Sequence, residues 1–474
     1  MNTIHSDPSL TNPATVTEML AALLAAGPQA QPPPALTYLR RKAGRGLVAV
    51  YGTARDPGHL YTVTVEEDAL TVPAGDGVTA GWEPHWQGAW PGVVADPALG
   101  LAVQAFPTDR TLPALAAAMD PTTHPQLWAA LQSAGSASVP GAAEWTLDAV
   151  RAEPVRYKPG DRCVIRYRLV MLRPGPGGAG GDGGDERTDR AEVSVIGKLY
   201  REPAQAVAAE ALLARLRTSS ARDWCPAPSG RVDSLALLLS ADLGDQRSNP
   251  PTRPGPEVIH PGNPHSAATI AAAGRALADL HTSDTVEPGT PLRRGTDEAD
   301  KAVKRAQVLS AYLPSLAAET TRISREVCDR LRSLHPGQFV PAHGSYKPSQ
   351  LLVRDGSVFL VDFDQFCQAD PALDVGYFTA YLRPPGLFYD RPGTRDWFDT
   401  AAETFRNAYL AARLERGATT ADTASILSRS SVYEAALLLK IAARRPNRLH
   451  SPRPGEVHAV LREITGCLRT AELV

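Results

Sequence analysis

The chain has 474 residues, of which 43% are hydrophobic, so it is long enough to form two or three domains with a sizeable core. Its 49 basic and 51 acidic residues give a formal net charge of −2, which argues against a nucleic-acid partner and a polybasic membrane contact. The five cysteines are scattered without a CxxC pair, which favours neither a zinc site nor a disulfide framework, so we expect a cytoplasmic protein.

The N-terminal part predicts two segments. Residues 1–34 hold one short helix and then the stretch PQAQPPP, which is typical of a linker. Residues 35–140 contain β-branched runs between turn residues, which predict a β-rich domain. The segment at 39–51, LRRKAGRGLVAVY, matches VRYKPGDRCVIRY at 155–167 without gaps, and both segments read as a basic turn that starts a hairpin. Either part of a domain was duplicated, or two hairpins share the same turn chemistry.

A second β region begins near residue 141. Strong strand patterns at 163–172 and 190–200 precede a helix and a further strand, so residues 141–246 are predicted to form a small β-rich lobe. Apolar residues at spacings of three and four dominate residues 247–474, which predicts a helical lobe interrupted by one hairpin. The order of these elements predicts an α+β fold with two lobes.

Two charged residues in the β-rich lobe are candidates for a phosphate site. Lys198 lies near the end of the apolar strand VSVIGKLY, where a cation is costly unless it is paired. Glu210 is the acidic residue within the apolar helix AVAAEALLARL that follows. A strand lysine oriented by a helix glutamate is suited to binding nucleotide phosphates. The alternative is a solubilising lysine at a sheet edge and a solvated glutamate.

The sequence VFLVDFDQF in the helical lobe predicts a metal site. Asp362 and Asp364 are expected on one side of a strand, where two carboxylates repel each other unless a cation lies between them. Mg²⁺ is the cation that fits best. The alternative is an Asp-containing turn at the end of a strand. Asp374, in ADPALDVGYF, is expected to cap a helix or to brace the neighbouring loop.

The loop HGSYKPSQLLV comes directly before this strand. Its last residues are predicted to pair with VFLVDFD through the turn RDGS, which would place Gln350 near Asp362 and Asp364 as a neutral metal ligand. Lys347 could reach a phosphate during its transfer. Ser345 would face the acceptor, but a serine hydroxyl can orient another hydroxyl and hardly take its proton.

These motifs together resemble one family. Residues 145–445 are similar to the aminoglycoside phosphotransferase and choline kinase-like group, with HGSYKPSQLL matching its H-G-D-x-x-x-x-N loop, VDFDQF its metal-binding strand and VIGKLY its lysine strand. The resemblance implies a two-lobed protein-kinase-like fold, ATP and Mg²⁺ as cofactors, and His343 as part of the catalytic loop. Residues 35–140 would then be an extra, cap-like N-terminal domain.

Two departures from the family pattern leave the function open. Gln350 stands in place of asparagine, and Ser345 stands in place of the aspartate that serves as the base. One reading is an ATP-dependent phosphotransferase that acts on a hydroxyl of an aminoglycoside, a sugar, another natural product or a peptide. The second is a pseudokinase that binds nucleotide or a partner without transfer. The third is a binding module that takes no nucleotide.

Overall fold

The structure is a computed structural model, and it describes residues 35–42, 46–53, 56–65, 93–96, 101–109, 111–174, 188–244, 251–445 and 455–471. The helix and linker predicted for residues 1–34 lie outside these ranges. The chain divides into two compact units. The first comprises Met1–Glu210 and Pro228–Asp242, and the second comprises Ala211–Ala227 and Leu243–Val474.

The described part of the first unit contains two antiparallel five-stranded sheets. The first sheet consists of β1 (Ala35–Lys42), β2 (Gly46–Thr53), β3 (Asp56–Val65), β4 (Val93–Asp96) and β5 (Leu101–Ala105), and the second consists of β6 (Thr146–Lys158), β7 (Arg162–Pro174), β8 (Thr188–Leu199), β9 (Pro228–Val232) and β10 (Leu237–Ala241). Both sheets have the same order: the first three strands are consecutive, and the fifth lies between the third and the fourth. Two antiparallel sheets with one topology fit the β-rich character predicted for this part of the chain.

The two matching sequence segments form equivalent hairpins of these sheets. At the end of the β1–β2 hairpin Lys42 pairs with Gly46, and at the end of the β6–β7 hairpin Lys158 pairs with Arg162. These residues occupy the same positions of the ungapped sequence match. The common register and the common strand order favour duplication over two turns that happen to share their chemistry.

One hydrophobic core extends across the predicted boundary at residue 140. Every second residue of β7 is buried, which gives this strand one apolar face: Cys163, Ile165, Tyr167, Leu169 and Met171. Helices α1 (Leu115–Met119) and α2 (Pro125–Ala137) contribute their apolar residues to the same core. Because α2 precedes residue 140 and β7 follows it, the predicted boundary runs through a packed interior. The division between the units falls inside α3 (Pro203–Thr218), after Glu210.

The second unit is mainly helical. Its described helices are α4 (Gly255–Val258), α5 (Ser266–His281), α6 (Gly295–Tyr312), α7 (Ala317–Ser333), α8 (Ala372–Leu382), α9 (Thr394–Glu415), α10 (Thr420–Arg444) and α11 (Gly455–Thr470). Its short strands are β11 (Arg253–Pro254), β12 (Leu292–Arg293), β13 (Val340–Ala342), β14 (Leu351–Arg354), β15 (Ser357–Leu360) and β16 (Cys367–Ala369). Sheets are concentrated in one unit and helices in the other, so the α+β fold class is confirmed.

Two glycines let the helices of the second unit approach closely. A Cβ atom on Gly274 in α5 would lie 2.7 Å from the carbonyl oxygen of Phe405 in α9, and one on Gly376 in α8 would lie 2.5 Å from that of Ser430 in α10. These distances exclude any side chain without movement of a helix backbone. The second contact fixes α8, which carries Asp374, against the long helix α10.

Candidate active site

The loop with the candidate catalytic residues begins directly after β13. His343 is buried, and Gly344 has a left-handed backbone with a φ of +72°. A Cβ atom on Gly344 would lie 2.0 Å from the carbonyl oxygen of Gln365. Glycine is therefore required here twice, by the backbone angle and by the close approach of the chain after Asp364.

The carboxylate of Asp374, in the first turn of α8, holds this loop through its backbone. Its Oδ2 atom accepts hydrogen bonds from the amides of His343 at 2.6 Å and Gly344 at 3.3 Å, and Oδ1 accepts one from the amide of Tyr346 at 3.4 Å. Complete burial opposes ionisation, but the His281 imidazole and the loop amides outweigh it and hold the pKa of Asp374 below its usual range. The prediction that Asp374 braces the loop is confirmed.

His281, the last residue of α5, completes this brace. Its Nε2 atom lies 3.5 Å from Oδ2 of Asp374, and its Nδ1 atom lies 2.9 Å from the hydroxyl oxygen of Tyr409. Burial lowers the pKa of His281, so the ring is neutral. No role was predicted for His281, although a histidine that ends the apolar helix GRALADLH was a visible signal.

Ser345 is buried among three polar groups. Its Oγ atom accepts a hydrogen bond from Nε2 of Gln350 at 3.0 Å and lies 3.4 Å from both Nδ1 of His343 and Oε1 of Gln350. The Nε2 atom of His343 lies 3.2 Å from the carbonyl oxygen of Val361, which can only accept, so that nitrogen carries the proton. The Nδ1 atom is then an acceptor, and the Ser345 hydroxyl can donate to it.

The predicted hairpin brings Gln350 to Asp362. Leu351 pairs with Leu360, and Nε2 of Gln350 lies 3.5 Å from Oδ2 of Asp362. In this orientation the amide presents its NH₂ group to the carboxylate, and a half-turn of the amide would present Oε1 instead. Carboxylate and amide oxygens are the ligands that Mg²⁺ prefers. The chemistry of Asp362 and Gln350 thus fits Mg²⁺, provided that the amide turns.

The two aspartates do not lie on a strand, which corrects the prediction. Strand β15 ends at Leu360, and Asp362 has a φ of +69°, a left-handed value that breaks the extended conformation. Strand alternation therefore does not place Asp364 beside Asp362. No group of three His, Cys, Asp or Glu side chains in the described ranges could hold a metal ion, so the set of Asp362, Asp364 and Gln350 stays a prediction.

Two cations lie at the loop: Lys347 belongs to it, and Arg293 contacts it. The Nζ atom of Lys347 lies 5.4 Å from the ring centroid of Tyr381. The guanidinium of Arg293 donates to the carbonyl oxygen of Gly344 and forms an ion pair with Glu298 at 2.7 Å. No local sequence pattern marked Arg293, because its strand β12 is only 2 residues long.

Lys198 and Glu210 both belong to the first unit. Lys198 pairs with Val164 and Leu238 in the sheet, and its Nζ atom lies 5.2 Å from the ring centroid of Tyr200. The carboxylate of Glu210 forms an ion pair with Arg231 at 2.8 Å. A role for Glu210 in orienting Lys198 therefore stays a prediction.

The helices of the described ranges include none with the length and apolar character that a membrane crossing requires. A search of curated proteins gave no match.

Three solved structures illustrate distant matches to this chain. A protein provisionally named an aminoglycoside phosphotransferase, from Ralstonia eutropha JMP134, is 14% identical with a TM-score of 0.48, and the match covers 73% of this chain and 98% of that one. A choline/ethanolamine kinase family protein from Mesorhizobium loti is 16% identical over 73% of this chain and 100% of its own, with a TM-score of 0.41. A glucosamine kinase is 18% identical over 96% and 100% of the two chains, with a TM-score of 0.41.

A family model gives the decisive comparison. The model of the phosphotransferase enzyme family matches residues 188–424, which is half of the chain and includes the candidate loop and Asp374. This match confirms the resemblance inferred from the motifs, and with it the kinase-like character of the fold. The chain therefore belongs to the phosphotransferase enzyme family.

Proposed function

We propose that the protein transfers the γ-phosphate of Mg²⁺-bound ATP to a hydroxyl group of a small molecule. Family membership supports phosphoryl transfer in general. The observation that carries the specific proposal is the contact of Gln350 with both Asp362 and Ser345 on a loop braced by Asp374. Phosphoryl transfer needs mainly positioning and charge, which this arrangement can supply.

Each candidate residue then has a defined role. Asp362, Asp364 and Gln350 would hold Mg²⁺, which neutralises charge on the phosphates when it is bound. Lys198 would bind the nucleotide phosphates, and Lys347 would contact the phosphate during transfer.

Ser345 would orient the acceptor hydroxyl. Its own proton can be donated to Nδ1 of His343, 3.4 Å away, which leaves a lone pair of Oγ for the acceptor. General-base catalysis contributes about 10²–10⁴-fold, so a serine slows transfer and does not forbid it.

The serine also favours a second candidate, a pseudokinase. Such a protein would bind the nucleotide at the same residues and would not transfer phosphate. The two candidates differ in turnover and not in binding.

Asp362 and Asp355 offer a matched pair of variants for the test. Both have left-handed backbones, with φ of +69° and +49°, and asparagine tolerates this conformation. Asp355 is exposed in the β14–β15 turn. The Asp362→Asn variant should lose Mg²⁺-dependent ATP binding in calorimetry and ADP release with a panel of hydroxylated acceptors. The Asp355→Asn variant should keep both.

The outcomes separate the three readings. Turnover in the wild type that Asp362→Asn abolishes supports the transferase. Binding without turnover, combined with turnover in Ser345→Asp, establishes the pseudokinase and contradicts our proposal. An absence of Mg²⁺-dependent nucleotide binding in the wild type would exclude both.

A further inference from the structure

A cluster of cations surrounds two stacked tyrosines beside the candidate catalytic loop. The rings of Tyr377 and Tyr381 are stacked, with centroids 5.6 Å apart and planes at 9°. The Nζ atom of Lys440 in α10 lies 4.8 Å from the centroid of Tyr377 and hydrogen-bonds to its hydroxyl oxygen. Lys347, from the loop itself, lies over Tyr381, and Arg444 donates to the Tyr381 hydroxyl at 3.5 Å. We call Arg305, Lys347, Lys440 and Arg444 the basic cluster.

The described carboxylates leave the amine of Lys440 without an ion pair. Glu298 is shared by Arg293 at 2.7 Å, Lys301 at 2.7 Å and Arg305 at 3.8 Å. Among the described residues, no carboxylate oxygen lies close enough to the Nζ atom of Lys440 to form an ion pair. Its only side-chain partner there is the neutral phenol of Tyr377.

The surroundings of Lys440 show the electrostatic consequence. Burial first, and then the neighbouring cations Arg444, Arg305, Lys347 and Arg293, lower the pKa of Lys440 to about 6. An amine that is buried among like charges without an anion is energetically unfavourable, and such groups concentrate at functional sites. An external anion would favour the protonated form of Lys440 and offset the charges of its neighbours.

We propose that the acceptor is an anionic hydroxyl compound, whose phosphate, sulfate or carboxylate group binds the basic cluster. This inference rests on the proposed function. Lys347 belongs to the same short loop as Ser345, so an anion held at the cluster would place a hydroxyl of the same small molecule near Ser345. A cationic acceptor such as an amino sugar or choline would be repelled at this position.

Two observations fix the design of the test. Anions can bind at nucleotide-phosphate residues, so all measurements contain saturating Mg²⁺ and a non-hydrolysable ATP analogue. A separate cavity of about 640 Å³ is lined by Arg413, Arg416 and Arg429, so stabilisation by an anion alone does not identify the site. The variants that lose anion binding show whether the anion binds the basic cluster or this separate cavity.

The experiment compares glucose 6-phosphate, glucose, glucosamine and inorganic sulfate as probes in thermal unfolding and calorimetry. Glucose 6-phosphate and sulfate should raise the midpoint temperature of the wild type, and glucose and glucosamine should not. Lys440→Met, which keeps the aliphatic stem, should weaken anion binding at least tenfold. Lys304→Met, at an exposed position of α6, should bind like the wild type.

A second variant protects the test from a folding defect. Arg444 is exposed at the end of the basic cluster, and Arg444→Gln should also weaken anion binding while its unfolding midpoint without ligand stays close to that of the wild type.

Several outcomes overturn the inference. These are an absence of anion stabilisation in the wild type, equal anion affinity in Lys440→Met, loss of anion binding in Arg413→Met instead, or stabilisation by glucosamine. If Mg²⁺-dependent nucleotide binding is intact, any of these results refutes the anionic class of acceptor and leaves the proposed transferase function standing. Anion binding that depends on Lys440 without phosphate transfer to any acceptor leaves an anion site and refutes the proposed transferase.

Discussion

The backbone amide of His343 donates a 2.6 Å hydrogen bond to Oδ2 of Asp374, a residue that follows it by 31 positions and is fully buried. This bond joins the candidate catalytic loop to the first turn of α8. The same carboxylate accepts from Gly344 and Tyr346 as well, so one side chain determines the course of the loop backbone.

Replacement of this carboxylate should destabilise the second unit. Asp374→Asn keeps one acceptor oxygen but puts an NH₂ group against backbone N–H donors, so we expect the free energy of unfolding to fall by about 2–4 kcal/mol. Chemical denaturation measures this change. The control is Asp399→Asn, an exposed position of α9, which should change stability by less than about 0.5 kcal/mol. Equal effects of the two substitutions would show that Asp374 does not brace the loop.

Acid should weaken the same brace. Burial lowers the pKa of His281 in the folded protein, whereas the unfolded chain takes up a proton near pH 6.5, so stability falls as the pH drops below that value. Asp374 acts in the same direction at lower pH, because its folded pKa lies below that of the unfolded chain.

His281→Gln should therefore lose less stability than the wild type between pH 7 and pH 5.5, by about 1 kcal/mol. Denaturant titrations at both pH values provide the measurement, and His458→Gln on the exposed side of α11 is the control. An unchanged pH dependence in His281→Gln would refute the buried neutral imidazole.

Gln350 offers a test of the metal site without nucleotide. Gln350→Glu places a second carboxylate beside Asp362, so the protein without metal should be less stable through repulsion, and Mg²⁺ should restore the loss. We expect the rise in unfolding midpoint on addition of Mg²⁺ to be several degrees larger than in the wild type. Gln338→Glu, an exposed substitution, should leave the Mg²⁺ response unchanged. A Mg²⁺ response of the wild-type size in Gln350→Glu would exclude this residue from the metal site.

Lys440→Met should stabilise the protein without ligand, by about 1–3 kcal/mol at pH 7, because it removes a buried amine that lacks a counter-charge. The depressed pKa, about 6, means that the unfolded chain binds the extra proton above this value, so wild-type stability should rise with pH from about 6 upwards and the variant should lack this rise. The groups that face the amine are Arg293, Arg305, Lys347, Tyr377 and Arg444. A less stable variant with an unaltered pH dependence would contradict the depressed pKa.

Local sequence patterns predicted much of this arrangement. The RDGS turn correctly implied the β14–β15 hairpin and the approach of Gln350 to Asp362. The ungapped match of two basic turns anticipated two hairpins with one register. These predictions succeeded because turn chemistry and strand pairing depend on residues that are close together in the sequence.

Other features depend on contacts between residues far apart in the chain. The left-handed backbone of Asp362 ends the strand that alternation predicted, and the residues themselves carry no sign of it. Arg231, the partner of Glu210, comes from β9, 21 positions later. The basic cluster combines Lys347 and Lys440 from separate elements, so no period or spacing reveals it. The core of the second sheet likewise joins residues on both sides of position 140.

The backbone conformation of Asp362 lowers the stability of this protein. A non-glycine residue with a φ of +69° is strained by about 1 kcal/mol or more, and glycine would adopt this conformation freely. Asp362→Gly should therefore fold at least as stably as the wild type while losing its response to Mg²⁺. If selection acted on stability alone, glycine would be favoured at this position. An aspartate at this position costs stability, and the proposed contact with Mg²⁺ would give its side chain a use that glycine lacks.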